Sequence, residues 1–386
     1  MNIEDLNLKL VLNKNKINKW INNYTNNVPI YSSVDFRQSK FKLVPIDTNI
    51  FPTGFNILNK KSINTTSIYF KNFINKKNKK IAIFVENFTR NTKYWDNIKK
   101  ITNILLKLNL DIKIIANSNK TTVNKMIQLL GIQIYNIIDI DGYISIGNNW
   151  IADFIILNND LTYGVPKFLI KTKTPILPST EFSWSFRSKY KHNLSFNNII
   201  NDFTTQFKFF DPWLVTSYCN YLYGVNFMTR DGLKQITCKV KKLLTKIKSK
   251  YKKYAINYKP YVFIKSDKGT LGRGILNTNN ADTIVNINKN KRKNMNYIKC
   301  NINNDRILLQ EGINSNLSHS NYSAENTINL INNGIIGKSV RYNTTKNNIS
   351  NLNSFGMQFT TCNQITYIQS ILSKLATIAT YYEKQY

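Results

Sequence analysis

Histidine, cysteine and acid are the scarce materials of this 386-residue sequence, which holds two histidines, four cysteines and 21 Asp plus Glu. Cys219, Cys238, Cys300 and Cys362 lie far apart with no C-x-x-C, and only His192 and His319 could join them, which argues against a zinc site. The same spacing lacks the density of a secreted disulfide scaffold, so reduced thiols in a cytoplasmic protein are the expectation. Long apolar runs are missing too. The N-terminus "MNIEDLNLKLVLNKNKINKW" breaks its apolar residues with charge every few positions, leaving no signal-peptide core. Nowhere do the roughly 18 unbroken apolar residues of a membrane-spanning helix occur, and no membrane partner is expected.

Against the few acids stand 54 Lys plus Arg, a formal net charge of +33 that points first to nucleic acid. Three features argue otherwise. The lysines come with Asn, Ile, Tyr and Phe in runs such as "NFINKKNKK" (72–80) and "NINKNKRKN" (286–294), a mixture that AT-rich codons favour. Arginine, the better fork for phosphate and base edges, is scarce beside lysine. No RNP, KH or helix-turn-helix signature is present. The charge therefore reads as a solvated surface, with a basic nucleic-acid-binding protein as the alternative of another class.

What is present is apolar material for a packed interior, 42% hydrophobic with 12% aromatic, and a length that fits two or three domains. "KIAIFVEN" (80–87) predicts a buried strand and "DIKIIA" (111–116) a second. Between them, "TKYWDNIKKITNILLKLNL" (92–110) predicts an amphipathic helix with Trp95, Ile98, Ile101, Ile104 and Leu105 on one side. With "DFIILNND" (153–160) and "TPILP" (174–178) as further short strands, the first half reads as an open α/β sheet. From about Phe203 the texture changes, and "DPWLV" (211–215) and a lysine-studded helix (232–256) lead into a second part. There strand, glycine loop, strand, helix (281–294) and strand follow in the order of an α+β nucleotide-binding module. Two more strands (326–334, 335–345) and an amphipathic helix from about Thr366 to Glu383 close the chain.

The segment "FIKSDKGTLGRGI" (263–275) delivers Lys265 and Asp267 from a strand into a turn holding Gly269, Thr270, Gly272 and Gly274. Glycines let backbone N–H groups approach an anion, so the loop can cover a polyphosphate with Lys265 on its oxygens. It lacks the G-K-[ST] end of a P-loop, and a glycine-rich hairpin with a solvated lysine is the plain alternative. "ILLQEGI" (307–313) ends an apolar strand with Gln310 and Glu311, residues placed to border a nucleotide. This order of elements resembles the ATP-grasp architecture, in which adenine lies between two α+β subdomains. Phosphoryl transfer uses Mg2+, which takes carboxylate or amide oxygens. Glu325, with Asn351 and Asn353 in "NISNLNSFGM" (348–357), are the candidate ligands, each equally readable as a surface residue. Lys265 and Arg341 are the candidate catalytic cations for a transferring phosphoryl group.

The segment "PIYSSVDFRQSKFKLVPIDTNIFPTGFNIL" (29–58), rich in Asp, Arg and Pro, resembles the opening signature of the proteobacterial glutamate-cysteine ligase family. That family is related to ATP-grasp enzymes and distinct from the glutamate-cysteine ligases built like glutamine synthetase. The match continues in order through "VENFTRN", "LNNDLTYGVP", "DPWLV", "FIKSDKGTLGRGI", "QEGI" and "VRYNTTKNNISNLNSFGM", from about Pro29 to Phe359. The resemblance implies an ATP-grasp-like fold: an N-terminal open α/β domain (1–205) followed by two α+β nucleotide-binding subdomains (206–310 and 311–386). It implies ATP and Mg2+ as cofactors, and L-glutamate and L-cysteine as substrates joined through an acylphosphate to γ-glutamylcysteine, the first intermediate of glutathione synthesis. Asp35, Arg37, Asp47, Asn49, Arg90 and Asn159 become candidates for holding the amino acids, with cap or turn roles as the plain alternative for the aspartates. Two positions depart from the family's loop, Lys268 and Arg273, where a small and an apolar residue are usual. A ligase of the same fold with another amine acceptor is the nearest alternative.

Overall fold

Residues that alternate between core and solvent and residues that stay buried on both faces sort this chain into antiparallel and parallel sheets. The computed structural model describes residues 3–24, 28–74, 79–86, 91–117, 131–147, 149–162, 164–268, 274–296 and 305–386. Helices α1 (Ile3–Leu12) and α2 (Lys14–Asn22) lead into strands β1 (Tyr31–Gln38) and β2 (Leu43–Asn49), then α3 (Lys60–Phe73). An α/β layer follows with β3 (Lys80–Val85), α4 (Thr92–Leu106), β4 (Asp111–Ala116) and β5 (Ile134–Asn136). A small meander of β6 (Ile138–Ile140), β7 (Tyr143–Ile146) and β8 (Trp150–Ile151) precedes β9 (Phe154–Asn158), α5 (Lys167–Lys171) and β10 (Ile176–Leu177). Helix α6 (Lys189–Phe207) then connects to β11 (Cys219–Tyr223), α7 (Arg230–Lys253), β12 (Val262–Ser266), β13 (Ile275–Thr278), α8 (Lys289–Asn296) and β14 (Arg306–Glu311). Strands β15 (Ser318–His319), β16 (Tyr322–Ile331), β17 (Gly334–Asn343), β18 (Met357–Cys362) and helix α9 (Tyr367–Tyr382) end the chain.

The parallel sheet has the order β10-β9-β3-β4-β5. Its central strands β3 and β9 are buried on both faces, which is why they read as unbroken apolar runs. Helix α4 lays Trp95, Ile98, Ile101, Ile104 and Leu105 against Ile81, Ile83 and Val85. The strand order reverses between β3 and β9, and in open α/β sheets the crevice beyond the carboxyl ends of such strands is where ligands sit.

A six-stranded antiparallel sheet runs β18-β17-β16-β1-β2, with β15 paired to β16. The N-terminal hairpin is thus hydrogen-bonded to C-terminal strands, across the expected division between 1–205 and 311–386. Asn332 and Asn333, at φ 45° and 60°, make the two-residue turn joining β16 to β17, a turn that needs positive φ at both positions. The third sheet, β11-β14-β12-β13, is antiparallel, with α7 and its buried Leu233, Ile236, Val240, Leu243, Leu244, Ile247 and Tyr251 packed on it. Most lysines of α7 are exposed, as an amphipathic helix requires. Residues of α1, α2, α6, α7 and α9 share one core with both antiparallel sheets.

The helix expected over 281–294 is two pieces, a 3-10 turn Ala281–Asn286 and α8 from Lys289, with Ile287 extended between them. Asparagine side chains start each: Asn280 accepts from the Asp282 N–H at 3.0 Å and Asn288 from the Lys291 N–H at 2.9 Å, and such local caps compete with a continuous helix. Among the described residues no helix is long and apolar enough to cross a membrane.

Candidate active site

Residues two apart on a strand share a face, so β1 presents Asp35 and Arg37 together. Register does the rest: Asp35 lies opposite Asp47 on β2 and Thr327 on β16, while Glu325 lies opposite Arg341 on β17. On the four-stranded sheet Phe263 and Lys265 share a face of β12, and Phe263 lies opposite Gln310 on β14. These two sheet faces, with Asp160 and Trp184 from loops, Lys189 at the start of α6, and Asn351 and Asn353 beyond β17, line a cavity of about 270 Å³.

One wall is a buried four-charge network. Nη2 of Arg341 lies 2.6 Å from both Asp35 Oδ2 and Glu325 Oε1, and Nε of Arg37 donates to Glu325 Oε2 at 3.1 Å. Arg37 also donates to the carbonyl of Ile313, the hydroxyl of Tyr261 and the carbonyl of Ser350, and its guanidinium sits 5.2 Å from the Phe263 ring centroid. Thr327 donates to Asp35 Oδ1 at 2.6 Å. Burial pushes the Glu325 carboxyl up, but Arg341 and Arg37 outweigh it and hold the group below its ordinary value. At Asp35 burial wins over Arg341, with the Glu325 charge adding to it, so that carboxyl lies above its ordinary value.

Across the cavity Lys265 donates to Gln310 Oε1 at 2.7 Å, and Gln310 in turn donates to Ser217 and Asn193. Burial pulls Lys265 down to about 8 against the opposing attraction of Asp47. Lys189 binds both oxygens of Asp47, and burial of that carboxyl is more than offset by Lys189 and Lys265, which bring it to about 2. Glu311 Oε2 accepts from Trp213 Nε1 at 3.2 Å and the Tyr218 N–H at 3.0 Å and lies 3.0 Å from Lys42 Nζ.

Of the residues expected from sequence, Asp35, Arg37, Asp47, Asn49, Lys265, Gln310, Glu311, Glu325, Arg341, Asn351 and Asn353 all line this cavity. Asp267 does not; its carboxylate accepts from the Tyr190 N–H at 2.8 Å in the first turn of α6. Asn159 is spent on a turn, bonding Val85 O and the Leu161 N–H, while its neighbour Asp160 reaches the cavity. Gly274, at φ 65°, offers its carbonyl to the Ser266 N–H at 3.1 Å. Gly269, Thr270, Gly272 and Arg90 lie outside the described residues, as does Arg273. Lys268 donates to the Ser185 carbonyl at 2.7 Å and is not part of the cavity wall. Sequence reasoning missed Lys189, Trp184, Asp160 and Lys42. Lysines carry no signal in so lysine-rich a chain, whereas Trp184, one of five tryptophans, could have been found by its rarity.

Two observations bear on what fits here. Oε1 of Glu311 and Oγ of Ser266 are buried without a hydrogen-bond partner among the described residues, and both residues line the cavity, so a ligand with donors there would satisfy them. Among the described residues no three His, Cys, Asp or Glu gather into a metal cage. Mg2+ is commonly held by one or two carboxylates plus substrate phosphates, and Glu325 is the carboxylate among the expected ligands. Both its oxygens already face arginines, and Asn351 Oδ1 accepts from the Asn353 N–H at 3.1 Å, so each would share a remaining lone pair.

The sequence model of the glutamate-cysteine ligase family matches residues 8–380. A search among curated proteins returns no match. Among solved structures, a protein from Methylobacillus flagellatus KT named as a candidate gamma-glutamylcysteine synthetase is 26% identical, with a TM-score of 0.87 over 99% of this chain and 96% of that one. A glutathione synthetase-like effector of Globodera pallida, in its apoform, is 9% identical over 93% of this chain and 84% of that one, and its TM-score of 0.45 carries no argument.

Proposed function

The chain belongs to the glutamate-cysteine ligase family and is an enzyme, and from that premise we propose that its cavity joins the γ-carboxylate of L-glutamate to the amine of L-cysteine, driven by ATP. The products are γ-glutamylcysteine, ADP and phosphate, and the setting is the cytoplasm. The observation that carries this reading is convergence: Lys265 from the glycine-loop sheet faces Arg37 and Arg341 from the other sheet across one cavity. Phosphoryl transfer leaves a protein little to do except position reactants and neutralise charge, and opposed cations on rigid strands do both.

In this reading Lys265 bears on the triphosphate, and Gln310 and Glu311 border adenine and ribose. Asp35, Arg37, Asp47 and Asn49 hold the ammonium and carboxylates of the amino acids. A γ-carboxylate oxygen of glutamate attacks the γ-phosphorus and ADP leaves. The cysteine nitrogen then attacks the acyl carbon, the bond to phosphate breaks, and the amine proton departs with that phosphate. Arg341 stabilises the charge on the phosphoryl oxygens. When bound, Mg2+ supplies charge neutralisation on the phosphates, and Glu325, Asn351 and Asn353 are the residues that would hold it.

The ATP-grasp organisation belongs to the same proposal: the four-stranded sheet of 206–310, whose β14 runs one residue past that boundary to Glu311, and the long hairpin within 311–386 enclose the nucleotide, and 1–205 brings the parallel sheet. The hairpin of β1 and β2 pairs with the C-terminal strands, and α1, α2 and α6 pack into the same core as α9, so 1–205 and 311–386 are intertwined. The test is ADP release by purified protein with MgATP, glutamate and cysteine, each amino acid omitted in turn, with mass spectrometry of the product. Glutamate-dependent ADP release with γ-glutamylcysteine formed supports the reading. Full activity with another amine in place of cysteine overturns the acceptor, and no ADP under any combination overturns the ligase.

A further inference from the structure

Lys42 is among the largest fully buried side chains of the molecule. The turn between β1 and β2 puts it there: the Ser39 N–H bonds the Lys42 carbonyl at 2.8 Å, and the Lys42 N–H bonds Ser39 Oγ at 3.0 Å. Its ammonium lies 3.0 Å from Glu311 Oε2, with both side chains at 0% exposure, and 4.0 Å from the ring centroid of Trp213. Trp213 itself stacks on Phe41 and Tyr254. Taking an ammonium out of water this completely is costly, and hydrophobic residues of similar volume often do as well or better for stability alone. A lysine serving only the core therefore has little to recommend it.

The partner suggests what it serves. The described contacts of the Glu311 carboxylate converge on one oxygen: Trp213 Nε1 and the Tyr218 N–H donate to Oε2. Lys42 Nζ, which has no hydrogen-bond partner of its own among the described residues, lies 3.0 Å from the same oxygen as an ion pair. The other oxygen, Oε1, is buried without a hydrogen-bond partner among the described residues, in a residue that lines the cavity. We propose that Lys42 is a positioning residue for the nucleotide, fixing the carboxylate of Glu311 by Oε2 so that Oε1 accepts a hydrogen bond from the nucleoside. This rests on the reading of Glu311 as a nucleotide-bordering residue. Burial pulls Lys42 down to about 8 while Glu311 opposes that pull, so the lysine still carries its proton at neutral pH. The β1–β2 hairpin thereby carries Asp35, Arg37 and Asp47 in the cavity wall and Lys42, at its turn, against Glu311.

The test uses the full chain and two probes: the Mg2+ complex of a non-hydrolysable ATP analogue, and inorganic triphosphate, which has no nucleoside. Lys42→Met is expected to raise Kd for the analogue about tenfold or more and to leave Kd for triphosphate within about twofold, with Lys42→Arg recovering part of the loss. A lysine that is only structural would lower the melting temperature and leave both Kd values unchanged, or weaken both alike, and either result overturns the inference. Glu311→Gln separates it from its premise. An unchanged analogue Kd in Glu311→Gln removes Glu311 from the nucleotide site, whereas a weakened one beside an unaffected Lys42→Met defeats Lys42 alone. Should Lys42→Met not fold, Trp213→Phe removes another anchor of Oε2 and keeps a ring. It should weaken the analogue about threefold to tenfold and spare triphosphate, and equal behaviour towards both probes overturns the inference.

Discussion

Lys189 lays its ammonium across both carboxylate oxygens of Asp47, at 2.9 and 3.0 Å. The pair ties the first residue of α6 to β2 at the cavity wall, and the Lys189 ammonium also lies 4.3 Å from the Trp184 ring centroid. It links the helix that follows the parallel sheet to the sheet that carries Arg37 and Arg341.

Its acid dependence follows from the depressed carboxyl. Asp47 titrates at about 2 when folded and from 3.8 when unfolded, so the stability it contributes is complete above about pH 4 and is lost as pH falls towards 2. Solvent reaches this carboxylate, which reduces the contribution to about 1 kcal/mol. Lys189→Met is expected to be less stable than wild type by about that amount at neutral pH, with the gap closing between about pH 4 and pH 2. Urea midpoints measured across that window check it, and a constant gap would locate the effect elsewhere.

Arg341 between two buried carboxylates predicts strong coupling. Arg341→Met leaves Asp35 and Glu325 facing each other and should cost about 3 kcal/mol together with most of the ADP release. Glu325→Gln alone should cost a similar amount. The double variant should cost less than their sum by about 1 to 3 kcal/mol, read from a denaturation cycle, and additivity would show that the network is not a unit.

Lys265 sets a pH limit on nucleotide binding. Its ammonium is present below about 8, so Kd for the non-hydrolysable ATP analogue should rise as pH passes 8, by about tenfold at pH 9. Using the nucleotide alone keeps the titrations of the amino-acid substrates out of the measurement. Lys265→Arg, charged throughout, should remove the share of the rise that Lys265 contributes. What remains belongs to Lys42, which burial also pulls down to about 8.

Gly312 is the glycine of "QEGI" for a steric reason. A Cβ there would stand 2.3 Å from the ring of Tyr261, whose hydroxyl accepts from Arg37 and whose carbonyl accepts from the Gly312 N–H. Gly312→Ala must displace that ring, and a loss of about 1 to 3 kcal/mol is expected, with a visible fall in melting temperature. An unchanged melting temperature would mean the strand end shifts freely.

Local patterns were legible because they depend on neighbours along the chain. The unbroken apolar runs of β3 and β9, the spacing of Trp95 to Leu105 on α4 and the amphipathic pattern of α9 need no knowledge of what they pack against. The break at Ile287 escaped because two asparagine caps outweighed a helical pattern, and in an asparagine-rich chain such caps do not stand out.

The sequence by itself determined the family, the order of its motifs and which residue types were on offer for phosphates and carboxylates. Only the tertiary structure decided their pairing, since Arg37 and Glu325 are 288 residues apart in the chain and 3.1 Å apart in space. It alone joined the N-terminal hairpin to the C-terminal strands, and it alone chose Lys42 and Lys189 from a crowd of lysines. The reason is range: hydrophobic periodicity is a property of a short window, whereas the partner of a buried charge is set by sheet register between distant segments, which no window contains.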